Sequence, residues 1–219
     1  MIGRRRYFLA AAAALSLVSY FLWGALAPLV TSEVAAPTPP NRFAGTTMGT
    51  SYSVQYSASL SSENQRRLER EAGELLYQLD KEIFSTYAPE SELSRLNRAA
   101  TSGPITVSPE LFSVLEESLR VAELSEGAFD ISIAPVVDLW GFGPGKMVID
   151  RKAPEQALLD QALASVGYSY IELDAANRSV LRRRALTIDL SAVAKGYGVD
   201  RLAELLEDNG ISNYFVEIG

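Results

Sequence analysis

The chain has 219 residues, 47% hydrophobic and 21% charged, which suits one globular body with a sizeable core. Its formal net charge is −7, and Arg4, Arg5 and Arg6 precede every acidic residue. The remainder is therefore more acidic still, which disfavours nucleic acid as a partner. Cysteine and histidine are both absent, so these residues offer no disulfide, thiol nucleophile, cysteine-linked lipid or imidazole, and a zinc hydrolase or a Ser-His-Asp enzyme is excluded.

The first stretch reads as an export element. Met1 to Arg6 is basic, and Tyr7 to Val30 carries no charge. Arg5-Arg6-Tyr7-Phe8-Leu9 fits the core of a twin-arginine signal. A plain signal anchor is the alternative, because the run is long enough to span a bilayer. Ala25-Leu26-Ala27 offers a cleavage site, but Pro28 after it disfavours processing, so a retained anchor is preferred. Either way the arginines stay in the cytoplasm and the body faces the periplasmic side of a bacterial inner membrane. Residues 1–31 are thus a signal peptide or signal anchor. Residues 32–41, with Pro37, Pro39 and Pro40, are an extended linker, and residues 42–219 are the body.

Arg42 to Tyr56 reads as strand–turn–strand, broken at Thr46 to Thr50. Ser62, with Gln65 three residues on, predicts a capping-box helix start. The helix that follows sets Leu68, Ala72, Leu75, Leu76, Leu79 and Ile83 on one stripe. Residues Phe84 to Pro89 break it, and Ser91 caps a short turn through Leu93, Leu96 and Asn97. Ser108-Pro109 starts another helix, with Leu111, Val114, Leu115, Leu119 and Ala122 buried and Gly127 at its end. Phe129 to Ile133 alternates like a strand, and Leu139 to Gly145 is a glycine-rich aromatic loop. A helix over residues 154–166 stops at Gly167, and a hairpin over 170–183 turns at Ala176-Asn177. No repeat is present, and helices and strands mix without strict alternation, so the fold class is α+β.

The stretch from Ala185 onward concentrates the chemistry. Ala185 to Leu190 reads as a short strand, and Ser191 as the cap of a helix that ends at Asn209-Gly210. Val193, Tyr197, Leu202, Leu205 and Leu206 give that helix its apolar face. A strand running into a helix start makes an anion site, flanked by Asp189 as a metal or ribose partner and Lys195 as a cation for phosphate. Gly196 and Gly198 suit a close approach to the backbone. The structural alternative is an ordinary strand–loop–helix with a buried Asp189–Lys195 pair and two packing glycines. Asn213 to Gly219 is strand-like, and stopping there suggests a polypeptide meant to continue.

Five blocks occur in an order that resembles the ApbE family, the FAD:protein FMN transferases. They are Met48-Gly49-Thr50; Ser85-Thr86-Tyr87 with Ser91 to Asn97; Gly127 to Ile131 with Leu139 to Gly143; Ile188 to Ser191 with Ala194 to Tyr197; and Asn213 to Gly219. The resemblance runs from about Arg42 to the last residue. It implies a T-fold-like α+β domain, incomplete at its C-terminus, that binds FAD and Mg²⁺ and transfers FMN to a threonine or serine hydroxyl of a target flavoprotein with release of AMP. It implies as targets subunits of the Na⁺-translocating NADH:quinone reductase or of Rnf-type complexes. Met48 matches an early flavin contact, Tyr87 an aromatic FAD contact, and Ala128, Phe129 and Asp130 a segment lining the cofactor. Asp189 matches a ribose- or phosphate-side binder and Lys195 a pyrophosphate neighbour. Ala192 matches a residue whose backbone carbonyl coordinates the metal, and no catalytic residue is assigned.

The family pattern also contains an aspartate, a threonine and usually a histidine beyond the last strand, and a lipidation cysteine in many members; none of these occurs here. With the Ala192 carbonyl as the only implied Mg²⁺ ligand, residues 42–219 alone are expected to be poorly soluble or loosely folded and to transfer no FMN. The alternatives to a transferase are a non-catalytic FAD-binding module and an FAD pyrophosphatase.

Overall fold

The computed structural model describes residues 40–144 and 153–219. The expected export segment, the linker up to Pro39 and the glycine-rich loop from Gly145 on lie outside the described residues. Among the described residues no helix is long and apolar enough to cross a membrane.

Two small antiparallel sheets and a set of helices give the expected α+β class. In the first sheet β1 (Asn41–Thr47) pairs with β2 (Thr50–Tyr56), which pairs in turn with β6 (Tyr214–Ile218). The β1–β2 link is a two-residue turn with Thr47 opposite Thr50. Met48 and Gly49 both have positive φ, 49° and 75°, as a tight hairpin matching the right-handed strand twist requires. Gly45 sits opposite Tyr52, and a Cβ there would come within 2.6 Å of the tyrosine ring, so the glycine admits the ring across the strands.

Helix α1 (Ser62–Tyr77) covers this sheet with Leu68, Ala72 and Leu76, all buried. Its cap is Ser61 rather than the expected Ser62: the Ser61 hydroxyl accepts from Asn64 N–H, while Gln65 reaches forward to Glu69. Capping is worth about 1 kcal/mol, whereas each fully buried leucine contributes about 1.5–3 kcal/mol. The apolar stripe therefore fixes the helix's placement and the cap only trims its end. From Gln78 to Phe84 the helix widens into a π-helical turn. Leu79, Ile83 and Phe84 of that turn enter a second core cluster.

That cluster also takes Leu93 and Leu96 from α2 (Glu92–Arg98), and Leu111, Phe112, Val114 and Leu115 from α3 (Pro109–Leu124). Ser91 and Ser108 cap these two helices as expected. The second sheet has the order β3-β5-β4, from Ile105–Thr106, Ser179–Arg182 and Ile171–Asp174. Two short helices, α4 (Ala134–Leu139) and α5 (Gln156–Leu163), lie between α3 and the hairpin. The α5 span is shorter than the expected 154–166. Helix α6 (Ser191–Asp208) packs Leu202 and Leu206 against the first sheet and places Ala194 in the second core.

Two expected strands are not strands. Phe129 to Ile133 forms turns because Asp130 Oδ1 accepts from both the N–H and the hydroxyl of Ser132, and Oδ2 accepts from Tyr168 N–H. An aspartate that binds its own neighbouring backbone offers the chain an alternative to a ladder. Ala185 to Leu190 forms no regular element and pairs with no strand. Its backbone groups go instead to side chains and loop atoms. Asn97 Nδ2 donates to Ile188 O and Asn97 Oδ1 accepts from Ile188 N–H, both at 2.8 Å. The Arg182 guanidinium donates to Leu186 O, and Asp189 N–H donates to Ile131 O at 2.7 Å.

Candidate functional site

The β1–β2 turn, the π-helical turn, the loop after it and the start of α6 enclose a cleft of about 410 Å³. Met48 and Gly49 form one wall, Asp80, Lys81 and Phe84 the next, Ser85, Thr86 and Tyr87 the rim, and Asp189, Ser191, Ala194 and Lys195 the far side. Four residues singled out in the sequence, Met48, Tyr87, Asp189 and Lys195, thus meet around one cavity although they come from three separate parts of the chain.

Local chemistry holds each wall. The Ser85 hydroxyl accepts from Tyr87 N–H and Ala88 N–H, and Ser85 O accepts from the Ser91 and Ser94 hydroxyls. That network sets the rim loop against the start of α2. Tyr87 is 66% exposed, and its hydroxyl donates to Phe142 O at 2.6 Å. One aromatic face is therefore presented at the mouth while its tip is tied down. Phe84 meets Tyr197 edge to face at 5.5 Å. Burial raises the Tyr197 phenol above its usual range, Arg201 opposing and Glu110 and Glu204 adding, so this ring is a neutral packing element beneath the cleft.

The α6 start differs from the expectation in its cap. The N-cap residue is Leu190, whose side chain cannot cap. Asp189 Oδ1 takes over by accepting Ser191 N–H at 2.7 Å. Asp189 and Lys195 are not a buried pair: Lys195 Nζ donates to Ser191 O at 3.2 Å and has no carboxylate partner among the described residues. The other cleft cation, Lys81, lies 3.0 Å from Asp80 Oδ2. Lys195 is thus the cation left for an anionic ligand. Of the two glycines, Gly198 is the closely approached one, since a Cβ there would lie 3.1 Å from Ile218 Cδ1. Gly196 faces open space.

Ala128, Phe129, Asp130 and Ala192 do not line this cleft. Phe129 packs on the second core cluster, and both Asp130 oxygens are engaged in holding the loop to Ser132 and Tyr168. That loop reaches the site indirectly, through the bond from Asp189 N–H to Ile131 O. Ala192, one residue into α6, lines a separate groove between α3 and α6 with Glu110, Val193 and Gly196. Its carbonyl lies in the helix, where the N–H four residues on is the ordinary partner.

Neither Asp80 nor Lys81 is singled out in the sequence, where that stretch is marked only by its apolar stripe. The preceding leucine stripe gave no sign of the π turn that swings them inward. For the Mg²⁺ implied by the resemblance, no group of three or more His, Cys, Asp or Glu side chains could hold a metal among the described residues. Mg²⁺ is commonly held by one or two carboxylates together with substrate phosphates. Asp189, with Oδ1 on Ser191 N–H, fits the carboxylate part of such a set.

The model of the ApbE family matches residues 48–219. A protein named FAD:protein FMN transferase from Vibrio cholerae serotype O1 is 36% identical over 183 residues, which cover 84% of this chain and 54% of that protein. One of the same name from Haemophilus influenzae is 40% identical over 181 residues, covering 80% and 51%. The chain spans about half the length of these curated relatives. Among solved structures, the flavin transferase ApbE of Vibrio cholerae is similar with a TM-score of 0.73 and 35% identity, covering 83% of this chain and 58% of that one. The apo flavinyl transferase ApbE of Pseudomonas stutzeri gives 0.73 and 30%, covering 82% and 58%.

Proposed function

Because the chain belongs to the ApbE family, we propose that it supplies the FAD-binding wall of an Mg²⁺-dependent FAD:protein FMN transferase. The observation that carries this reading is Lys195, a cation without a carboxylate partner among the described residues, set one turn into α6 in the same cleft as Met48, Tyr87 and Asp189. In the reaction a threonine or serine hydroxyl of the target flavoprotein attacks the FMN-side phosphorus. A new phosphoester bond forms, the pyrophosphate P–O bond breaks, AMP leaves with the bonding electrons, and the hydroxyl proton passes to solvent. Such transfer depends on positioning and charge neutralisation more than on covalent catalysis.

Met48 supports an aromatic ring with a soft thioether face, and Tyr87 offers its exposed ring at the mouth. Lys195 and the α6 N-terminus face the pyrophosphate, where negative charge grows as AMP departs. Asp189 holds the first turn of α6 in place and supplies a carboxylate for the metal. Mg²⁺, when bound, neutralises the phosphate oxygens.

The test is incubation of the purified protein with FAD, Mg²⁺ and a threonine-bearing flavoprotein domain, read by in-gel flavin fluorescence and an AMP assay. Covalent flavin with stoichiometric AMP is the expected result for a polypeptide of the relatives' full length, whereas residues 42–219 alone are expected to give neither. FMN and AMP without labelled protein would instead mean an FAD pyrophosphatase, and bound FAD without turnover a non-catalytic module.

The proposed targets are subunits of the Na⁺-translocating NADH:quinone reductase or of Rnf-type redox complexes that face the periplasm. The basic Arg4 to Arg6 trio, the uncharged run and the proline linker are the reason for placing the body there, held by the N-terminal segment. A reporter fused after Asn41 is expected to be active only when it works outside the cytoplasm. Activity of a cytoplasm-dependent reporter at the same junction would overturn that placement.

A further inference from the structure

We infer that Asp80 is a positioning residue of the cleft, whose carboxylate locks the Met48-Gly49 turn onto the π-helical turn and so sets the wall that meets the ligand. A two-residue hairpin pairs Thr47 with Thr50 and leaves the N–H groups of its central residues outside the ladder. Met48 occupies the left-handed region at φ 49°, where a residue with a side chain is held only by its surroundings. Asp80 Oδ2 accepts the Met48 N–H at 2.9 Å, and the Asp80 side chain is only 12% exposed. A second bond, from the Thr47 hydroxyl to Leu76 O at 3.4 Å, docks the same turn on the end of α1.

The π turn is what allows this. π-Helical turns are rare, and they concentrate at functional sites because they re-aim side chains within an otherwise regular helix. Here the widened stretch from Gln78 to Phe84 keeps Leu79 and Ile83 in the core while Asp80, Lys81 and Phe84 line the cleft. Lys81 Nζ lies 3.0 Å from the same oxygen that accepts Met48 N–H. The far end of the Met48 side chain reaches α6: Met48 Cε would lie 3.6 Å from a Cβ on Gly198. One carboxylate thereby fixes a turn that touches both the π-helical wall and the helix carrying Lys195.

The inference rests on the cleft's being the FAD site, and its test separates the two ideas. FAD affinity of the parent, Asp80→Ala and Asp80→Asn is measured by flavin fluorescence titration, together with the hydrogen-exchange rate of the Met48 amide and the thermal midpoint of each variant. Asparagine keeps an oxygen acceptor for the Met48 N–H and removes the charge; alanine removes both.

The expected result is an FAD Kd raised about tenfold in Asp80→Ala and largely restored in Asp80→Asn. Met48 amide exchange should speed up in the alanine variant alone. Parent-like affinity in Asp80→Ala would overturn the inference. Equal weakening in both variants would also overturn it, because the charge rather than the accepted N–H would then matter. A parent that binds no FAD would remove the proposed ligand, and the Met48 exchange rates would still decide whether Asp80 holds the turn. If Asp80→Ala unfolds, the Asp80→Asn and parent pair decides: unchanged exchange and affinity support the clamp, and loss of either overturns it.

Discussion

Replacing Asn97 with leucine is expected to lower stability by roughly 2–4 kcal/mol, because two buried backbone groups together lose the partners they have among the described residues. Asn97 Nδ2 donates to Ile188 O and Asn97 Oδ1 accepts from Ile188 N–H, both at 2.8 Å, and Ile188 is fully buried. Leucine branches like asparagine but is larger, so no cavity opens and the loss comes from unpaired polar groups with some crowding added. The side chain acts as a substitute strand for Ala185 to Leu190, which pairs with no strand of either sheet. Urea unfolding should show a lower midpoint at unchanged slope. Asn97→Asp, which keeps an acceptor for Ile188 N–H but sets a carboxylate against Ile188 O, should also be destabilised. Because Asp189 is the next residue, FAD affinity should fall with stability in both variants. A parent-like midpoint for Asn97→Leu would mean that water or a shifted strand re-pairs Ile188, and the account of this segment would fail.

Lys195→Met is expected to weaken FAD binding while leaving stability nearly unchanged, the reverse pairing of effects. Lys195 makes one bond, to Ser191 O at 3.2 Å, and no ion pair among the described residues. Methionine retains the apolar stem, so folding loses little. A charge-assisted contact to a pyrophosphate is worth on the order of 1.5–3 kcal/mol, or roughly 10- to 100-fold in Kd. The loss should shrink at high salt, since the lysine is only partly buried. It should be large for FAD and small for riboflavin, which has no phosphate. Superimposable FAD titrations for variant and parent would remove Lys195 from the ligand's phosphate side.

The helices of this chain were legible because their determinants are local. Ser91 and Ser108 cap where expected, and the stripe from Leu68 to Ile83 is buried as its spacing requires except at the half-buried Leu75. Hairpins were legible for the same reason: Met48-Gly49 and Asp174 to Arg178 carry the turn chemistry between alternating runs. Of the four cleft residues, Asp189 and Lys195 were legible in the run into a helix start, while Met48 and Tyr87 came from the resemblance of ordered blocks. No single periodicity connects Met48 with Lys195.

The two false strands show where local reading stops. Phe129 to Ile133 and Ala185 to Leu190 both alternate in sequence, and neither joins a sheet. A strand, however, is a pairing relation, and whether a neighbour stands alongside is not encoded in the segment itself. Asp130 satisfies the first segment's backbone from within. Asn97, far away in sequence, satisfies the second. The same holds for Asp80 and Lys81, whose charges suit a solvated helix face until a π turn rotates them into the cleft.

The sequence by itself thus determined the α+β class, the caps at Ser91 and Ser108, the two hairpins and the family, because caps, turns and apolar periodicity act over a few residues. Only the tertiary structure decided that Met48, Tyr87, Asp189 and Lys195 share one cavity with Asp80, and that Ala192 and Asp130 stand outside it. Those placements depend on which distant donor or acceptor each buried backbone group finds once the two cores have packed, and that pairing exists only in the folded chain.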